Sequence, residues 1–457
     1  MLRGMMTLDE LSEEVTQGSI DTVLACQIDM QGRLMGKRFQ AEYFVEGAWE
    51  ETHSCNYLQA TDMEMETVEG YKSTSWEAGY GDYVMKPDMG TLRRVPWLEG
   101  TALVLCDMLD HHTHEDVPHT PRAILKKQVK RLAEKNMIAN MATELEFFLF
   151  TDSYEQAHDK GYRNLNTISQ YNEDYHIFQT TKEEEVMRAI RNGLHGAGVP
   201  VENSKGEADA GQEEINVQYA QALEMADRHV IVKNACKEIA WTKGKAVSFM
   251  AKWHYDAAGN SSHIHQSLWS ADGNKPLFYD PESANGMSPL MCNYLGGLLS
   301  HADELTYFLA PNINSYKRFM EGTFAPTKAI WSLDNRTAGY RVCAANTKNV
   351  RVECRVGGAD LNPYLALAAQ IACGLDGVEN KTQLEPVFSG DAYMASEARD
   401  IPKSLRGAAE SLKSSACLKN AFGDEVIEHY VHAANWEQFE YDRRVTDWEV
   451  YRGFERS

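Results

Sequence analysis

MATELEFFLF, residues 141–150, is an apolar run of strand length that carries two acids, Glu144 and Glu146, one residue apart. Side chains alternate across a strand, so both carboxylates project to one face while Leu145 and Phe147 project to the other. Burying an unpaired carboxylate is expensive, and two side by side repel each other. The shared face must therefore be met by positive charge, from basic side chains or from cations taken out of solution.

Three further stretches extend the pattern. GEADAGQEEIN (206–216) places Glu207 and Glu214 on either side of a Gly211-Gln212 bend, HIHQSLW (263–269) puts His263, His265 and Ser267 on one strand face, and VRVECRVGG (350–358) does the same with Arg351, Glu353 and Arg355. Carboxylate-rich sets with at most one imidazole suit Mg2+ or Mn2+ rather than zinc. Arginines interleaved with them suit phosphate held beside such an ion. There is no Walker loop and no G-x-G-x-x-G following a strand, so a nucleotide would not be held in a glycine cradle.

The rest of the chain frames these stretches. At 457 residues it exceeds what one core fills, about 250–300 residues, so more than one domain is expected. A net charge of −22 argues against nucleic-acid binding, and any anionic substrate must be held by a few local arginines. No apolar run approaches the roughly 18 residues that span a bilayer. The start, MLRGMMTLDELSEEV, lacks the apolar stretch of a secretion signal. Nine cysteines without a Cys-x-x-Cys pair argue against structural zinc and fit a reducing cytoplasm, the expected location.

Residues 1–110 read as short strands and loops, with strands at 23–29 and 101–107. The histidines at 111, 112, 114 and 119 read as solvated loop before a helix that starts at Thr120, with Pro121 in its first turn. Beyond it, strand-like segments at 141–150, 211–219, 246–253, 262–269 and 349–356 alternate with helices at 220–243 and 362–377.

Together, E-x-E (144, 146), the glutamates around Ala-Gly-Gln (207, 214), H-x-H-x-S-L (263–268), NSYKR (314–318), Ala325-Pro326, DNRTAGYR (334–341), RVECR (351–355) and NPYLA (362–366) resemble the glutamine synthetase family of type I, in that family's order. The resemblance implies an α+β fold, with a small N-terminal β-grasp-like domain (1–112) and a large catalytic domain (113–457) whose antiparallel sheet lines the active site. It implies two sites for Mg2+ or Mn2+, one held by Glu146, Glu207 and Glu214 and the other by Glu144, His263 and Glu353. Arg318 and Arg355 would bind glutamate carboxylates, with Gly259 near the amino end. Arg336 and Arg341 would be the catalytic phosphate-binding arginines, and His265 and Ser267 would sit by ATP. The implied reaction joins the γ-carboxylate of L-glutamate to an amine through γ-glutamyl phosphate. The implied assembly is a dodecamer with active sites between subunits, to which a Gly-rich loop bearing Trp76 and Tyr80 would contribute.

Two departures bear on the amine. Glutamine-forming members carry an acid just before the Ala-Pro of the flap, whereas RFMEGTFAPTK (318–328) has Phe324 there, with Glu321 three residues earlier. The family's Asp-Gly-Ser-Ser element, which helps bind ammonium, has no counterpart in HSCNYLQATDMEME (53–66). Both remove negative charge from the ammonium site, and Phe324 offers an apolar wall to an acceptor. The expected activity is therefore a γ-glutamyl-amine ligase of the polyamine or alkylamide type, acting on an alkylamine, polyamine or arylamine. The alternatives are ammonia-dependent glutamine synthesis and, more remotely, a non-catalytic homologue.

Overall fold

The computed structural model describes residues 2–457, and two sheets organise them. The first is built from β1 (Thr22–Ile28), β2 (Leu34–Gln40), β3 (Thr52–Cys55), β4 (Asp82–Pro87), β5 (Arg93–Arg94) and β6 (Thr101–Asp110), in the order β2-β1-β6-β4-β3 with β5 also on β6. Its central pair, β1 and β6, is parallel and its other pairs are antiparallel, a mixed pattern compatible with a grasp-like domain. The stretch read as strands and loops also holds a helix, Leu8–Thr16. Thr7 and Glu10 cap its start reciprocally, a T-x-x-E signal present in the sequence.

The loop reading holds for His111, His112 and His114, which are exposed, and is corrected for His119. His119 is buried, with its ring centroid 4.4 Å from that of His429, and burial pushes its pKa down to about 4. The next helix runs Pro121–Glu134. Thr120 occupies its N-cap by backbone geometry, but its hydroxyl donates back to Val117 O instead of capping.

The second sheet comprises β7 (Met137–Phe150), β8 (Val201–Gly206), β9 (Gln212–Val217), β10 (Ala220–Gln221), β11 (Ala246–Ser248), β12 (Ser262–Ser270), β13 (Trp331–Leu333), β14 (Tyr340–Cys343) and β15 (Arg351–Cys354). The order is β13-β14-β15-β12-β7-β9-β8, with β10 and β11 also pairing with β7; only β13–β14 is parallel. The strand expected over 246–253 ends at Ser248. Beyond it, side-chain amides replace the sheet's backbone partners: Asn260 donates to Met250 O at 2.8 Å and Asn314 to Lys252 O at 2.7 Å.

One face of this sheet is apolar. Leu145, Phe147, Ile215, Ile264 and Val352 pack there into the main core, with residues of the helices Ala222–Thr242 and Pro363–Asn380. The second of these helices also crosses the helix Pro289–Ser300 at glycines. A Cβ on Gly377 would lie 2.6 Å from Gly297 Cα, and one on Gly297 would lie 2.3 Å from Cys373 O. The two sheets are tied by charge and by a helix cap. Arg122 pairs with Asp88 at 2.7 Å, with Asp227 at 3.2 Å and with Asp107, while Asn362 donates to Asp29 O and Met30 O, each at 3.1 Å.

Candidate active site

The other face of the second sheet carries the acids. Strand register dictates their grouping, because residues directly opposed on antiparallel strands share a face. Glu146 opposes Glu214, Glu144 opposes both Asn216 and His263, and Glu353 opposes both His265 and Arg341. Glu207 follows β8, where its N–H donates to Gln212 O at 2.7 Å and closes the bend. Gly211 turns that bend with φ +75°, and a Cβ there would lie 2.8 Å from Thr167 Cβ.

The register brings two trios together. Carboxylate oxygens of Glu146, Glu207 and Glu214 lie within 4.8 Å of one another, and so do ligand atoms of Glu144, His263 and Glu353. Their electrostatics differ. In the first trio the basic contact is Lys205, which pairs with Glu207 and lies 3.8 Å from Glu214. Burial, reinforced by Glu207, pushes Glu146 up to about 7. Burial, with Glu144, Glu146 and Glu207 adding repulsion, pushes Glu214 up to about 9. In the second trio, burial acts on Glu353 in the same upward sense, but His263 and Arg355 overcome it and hold Glu353 down at about 2. Arg355 reaches Glu353 at 2.5 Å, Arg341 reaches it at 2.9 Å, and Glu144 is bonded by His263 at 3.1 Å and His265 at 2.8 Å.

Both trios suit a hard divalent cation. The first concentrates three carboxylates about one lysine, and the second sets His263 Nδ1 3.1 Å from Glu144 and 3.7 Å from Glu353, an imidazole between two acids. A divalent ion in either trio would neutralise its carboxylates.

Two buried arginines border the trios. Arg318 donates to Ser261 Oγ at 3.1 Å and to the backbone carbonyls of Arg355 and Val356, and burial pushes it down to about 10. Gly259 is what admits its stem, since a Cβ there would sit 2.4 Å from Arg318 Cγ. Arg355 donates from Nε to Arg336 O at 3.1 Å. On the far side of Glu144 a cleft of about 390 Å³ is lined by Asn216, Tyr219, His265, Ser267, Trp269 and Arg351.

The sequence-predicted residues thus divide. The six acid and imidazole ligands, with Arg318, Arg341 and Arg355, converge on one face, while His265 and Ser267 open onto the cleft. Arg341 is committed to acids, Glu353 and Asp334. Arg336 is exposed, and its guanidinium has no protein partner among the described residues. Phe324 is 59% exposed with φ +57°. Sequence reasoning assigned no role to Lys205 or Tyr219 and placed Arg351 only among the strand-face arginines that suit phosphate. Arg351, which donates to His265 Nδ1 at 3.1 Å, had a signal in its place on the face of Glu353, but exposed Tyr219 had none.

Comparison with known proteins points the same way. The family described as "Glutamine synthetase, catalytic domain" matches residues 118–453. Gamma-glutamylethanolamide synthetase of Streptomyces coelicolor is 46% identical over 450 residues, spanning 98% of this chain and 96% of that protein. Glutamate–isopropylamine ligase of a Pseudomonas species is 35% identical over 441 residues, spanning 96% of each. Among solved structures, a GmaS/ADP complex superposes with a TM-score of 0.85 at 26% identity, covering 98% of this chain and 100% of that one.

Proposed function

This chain belongs to the glutamine synthetase family, and on that premise we propose that it is an ATP-dependent ligase joining the γ-carboxylate of L-glutamate to an organic amine. The reaction activates glutamate as γ-glutamyl phosphate, releasing ADP, and the amine then displaces phosphate. The observation that carries the reading is the sheet face on which two ligand trios, two buried arginines and a nucleotide-sized cleft meet. Two relatives, one named for a γ-glutamylethanolamide product and one for an isopropylamine substrate, support an organic amine over ammonia.

The residue roles are those the family resemblance implies, and charge and exposure support them. Glu146, Glu207 and Glu214 would hold one Mg2+ or Mn2+, and Glu144, His263 and Glu353 a second. Bound there, the ions would neutralise charge on the phosphates and orient them. Arg318 and Arg355, buried and rigidly held, would bind the carboxylates of glutamate, with Gly259 near its amino end. His265 and Ser267 border the nucleotide. Arg341 is held by Glu353 and Asp334 and presents a fixed positive edge to the phosphates. Arg336 is free to gather charge on the transferring phosphoryl, where an arginine is worth about 10³–10⁵ in rate. Phe324 would form part of the acceptor pocket.

The same reading extends to the assembly. It divides the chain at 112/113 and makes the protein a cytoplasmic homo-oligomer, a dodecamer with shared active sites. Trp76 supports this, being 73% exposed on a loop where it packs edge-on against Tyr80. No helix among the described residues is long and apolar enough to cross a membrane. The test is phosphate release with ATP and L-glutamate fixed, over ethanolamine, isopropylamine, a polyamine, aniline and ammonia. An organic amine should give the highest kcat/KM; ammonia as the best acceptor would overturn the amine assignment.

A further inference from the structure

A second convergence of ligating groups lies in the helical layer, on the apolar side of the active-site sheet. His301 ends the helix Pro289–Ser300, Asp376 and Cys373 lie on the helix Pro363–Asn380, and Cys417 lies on the helix Ala416–Phe422. Ligand atoms of His301, Asp376 and Cys417 fall within 4.8 Å of one another. His301 Nε2 is 2.9 Å from Asp376 Oδ2, and Nδ1 is 3.1 Å from Glu304 Oε2, which also accepts from Ser415 Oγ. Cys417 is buried and Cys373 is fully so, and the Cys417 thiol lies within 4.8 Å of a ring nitrogen of His301.

We propose that His301, Asp376 and Cys417 form a binding site for a zinc-class divalent cation. The chemistry of the set selects the ion. A thiolate and an imidazole are soft to borderline ligands, unsuited to Mg2+, and a carboxylate completes a combination that zinc accepts. Glu304, placed against the other ring nitrogen of His301, is positioned as the outer carboxylate that fixes the orientation of a ligating imidazole. Cys373, on the same helix as Asp376, offers a second sulfur as a fourth ligand. Charge points the same way, since two carboxylates and a thiol surround a single imidazole and leave a surplus of negative charge that a divalent ion neutralises. The half-buried Asp376 and Glu304 leave a path from solvent. The ion would pin three helices together, and its binding free energy would add to the stability of that layer.

The test uses the full-length protein, stripped with a chelator and titrated with Co2+ in excess Mg2+, which keeps the oxygen-rich sets of the sheet filled. One Co2+ per chain should bind with a sulfur-to-cobalt charge-transfer band, and Zn2+ should displace it and raise the melting temperature. Cys417→Ser should abolish the band. Should that variant fail to fold, Asp376→Asn, a change at a partly exposed isosteric group, should keep the band and weaken affinity by more than the about 10–100-fold expected for an outer-shell partner. Cys343→Ser is the control, because Cys343 lies near His265 and Glu353. Absence of a stoichiometric thiolate-ligated site would overturn the proposal. So would a band lost in Cys343→Ser but kept in Cys417→Ser, or isolation of a Cys373–Cys417 disulfide in place of the bound ion.

Discussion

Glu213 and Glu214 are neighbours on β9 and face opposite ways, and each joins two other buried carboxylates. Glu214 meets Glu146 and Glu207 on the face that opens to the cleft; Glu213 meets Glu173 and Glu183 on the side turned away from it. The open trio has Lys205 in contact and lies beside arginines. The sealed trio is at most 1% exposed, is joined by no ion pair among the described residues, and has its Glu173 tied to Ser169 Oγ and Gly211 N. Burial, with Glu213 and Glu173 adding to it, pushes Glu183 up to about 11; burial, opposed by Glu183 and reinforced by Glu173, pushes Glu213 up to about 8. The same side-chain chemistry thus has two outcomes. On the proposed function, the acids that a cation can reach would form its binding site; the acids sealed from it are favoured in their neutral, protonated form.

The contrast is tested most strongly by removing one acid from each side. Glu146→Ala and Glu353→Ala should each lower kcat/KM in saturating Mg2+ by about 10³-fold or more, since on the proposed function each would delete a ligand from a different ion. Glu213→Gln should keep most of the activity. Equal losses on both sides of the strand, measured by phosphate release, would erase the distinction. Arg336→Ala comes next. Its uncommitted guanidinium interacts with charge that grows as the phosphoryl transfers, so kcat should fall by about 10³-fold with little change in KM for ATP. A change confined to KM would assign it to ground-state binding.

Phe324→Glu asks whether the open side discriminates amines. A carboxylate there stabilises ammonium and can take its proton, so the ratio of kcat/KM for ammonia to that for the best organic amine should rise by about 10–200-fold. An unchanged ratio places Phe324 outside the pocket.

The smallest effect is on stability. A carboxyl raised above its ordinary 4.5 holds a proton in the folded state that the unfolded chain releases. Its contribution is therefore complete below about pH 4.5 and is lost as pH rises through the folded value. For Glu146 and Glu214 that window ends near 7 and 9, and for Glu213 near 8. Glu353, held down at about 2, behaves in the opposite sense and loses its contribution only as pH falls below 4.5. In chelator the melting temperature should fall from pH 5 to 9. Mg2+ should rescue it increasingly toward pH 9, and Glu213→Gln should flatten the loss that Mg2+ leaves. Rescue independent of pH would show that protons and Mg2+ do not compete for the open trio.

What was legible in the sequence was what repeats locally. Strand alternation placed Glu144 beside Glu146 and His263 beside His265, and the antiparallel register then brought them together. Residues whose partners come from irregular chain were not legible. Glu173 and Glu183 lie in and just after the loops between 160 and 183, so nothing near Glu213 announced them. His119 follows solvated histidines in the chain and is buried by distant residues, His429, 310 positions away, and Tyr83 among them. The helix Leu8–Thr16 was signalled by its Thr7–Glu10 cap and passed over. His301, Asp376 and Cys417 are spread over three helices, which is why the absence of a Cys-x-x-Cys pair said nothing about them.

The glycine crossing of the helices Pro289–Ser300 and Pro363–Asn380 constrains how this sequence can change. Backbone meets backbone there, so alanine at Gly377 would press on Gly297 Cα, and overpacking of this kind costs about 1–3 kcal/mol. The usual escape, a second substitution to a smaller partner, is closed because the partner is already glycine. Each of the two positions blocks variation at the other, and drift in this part of the chain must go around the pair, through residues whose neighbours still have volume to give up.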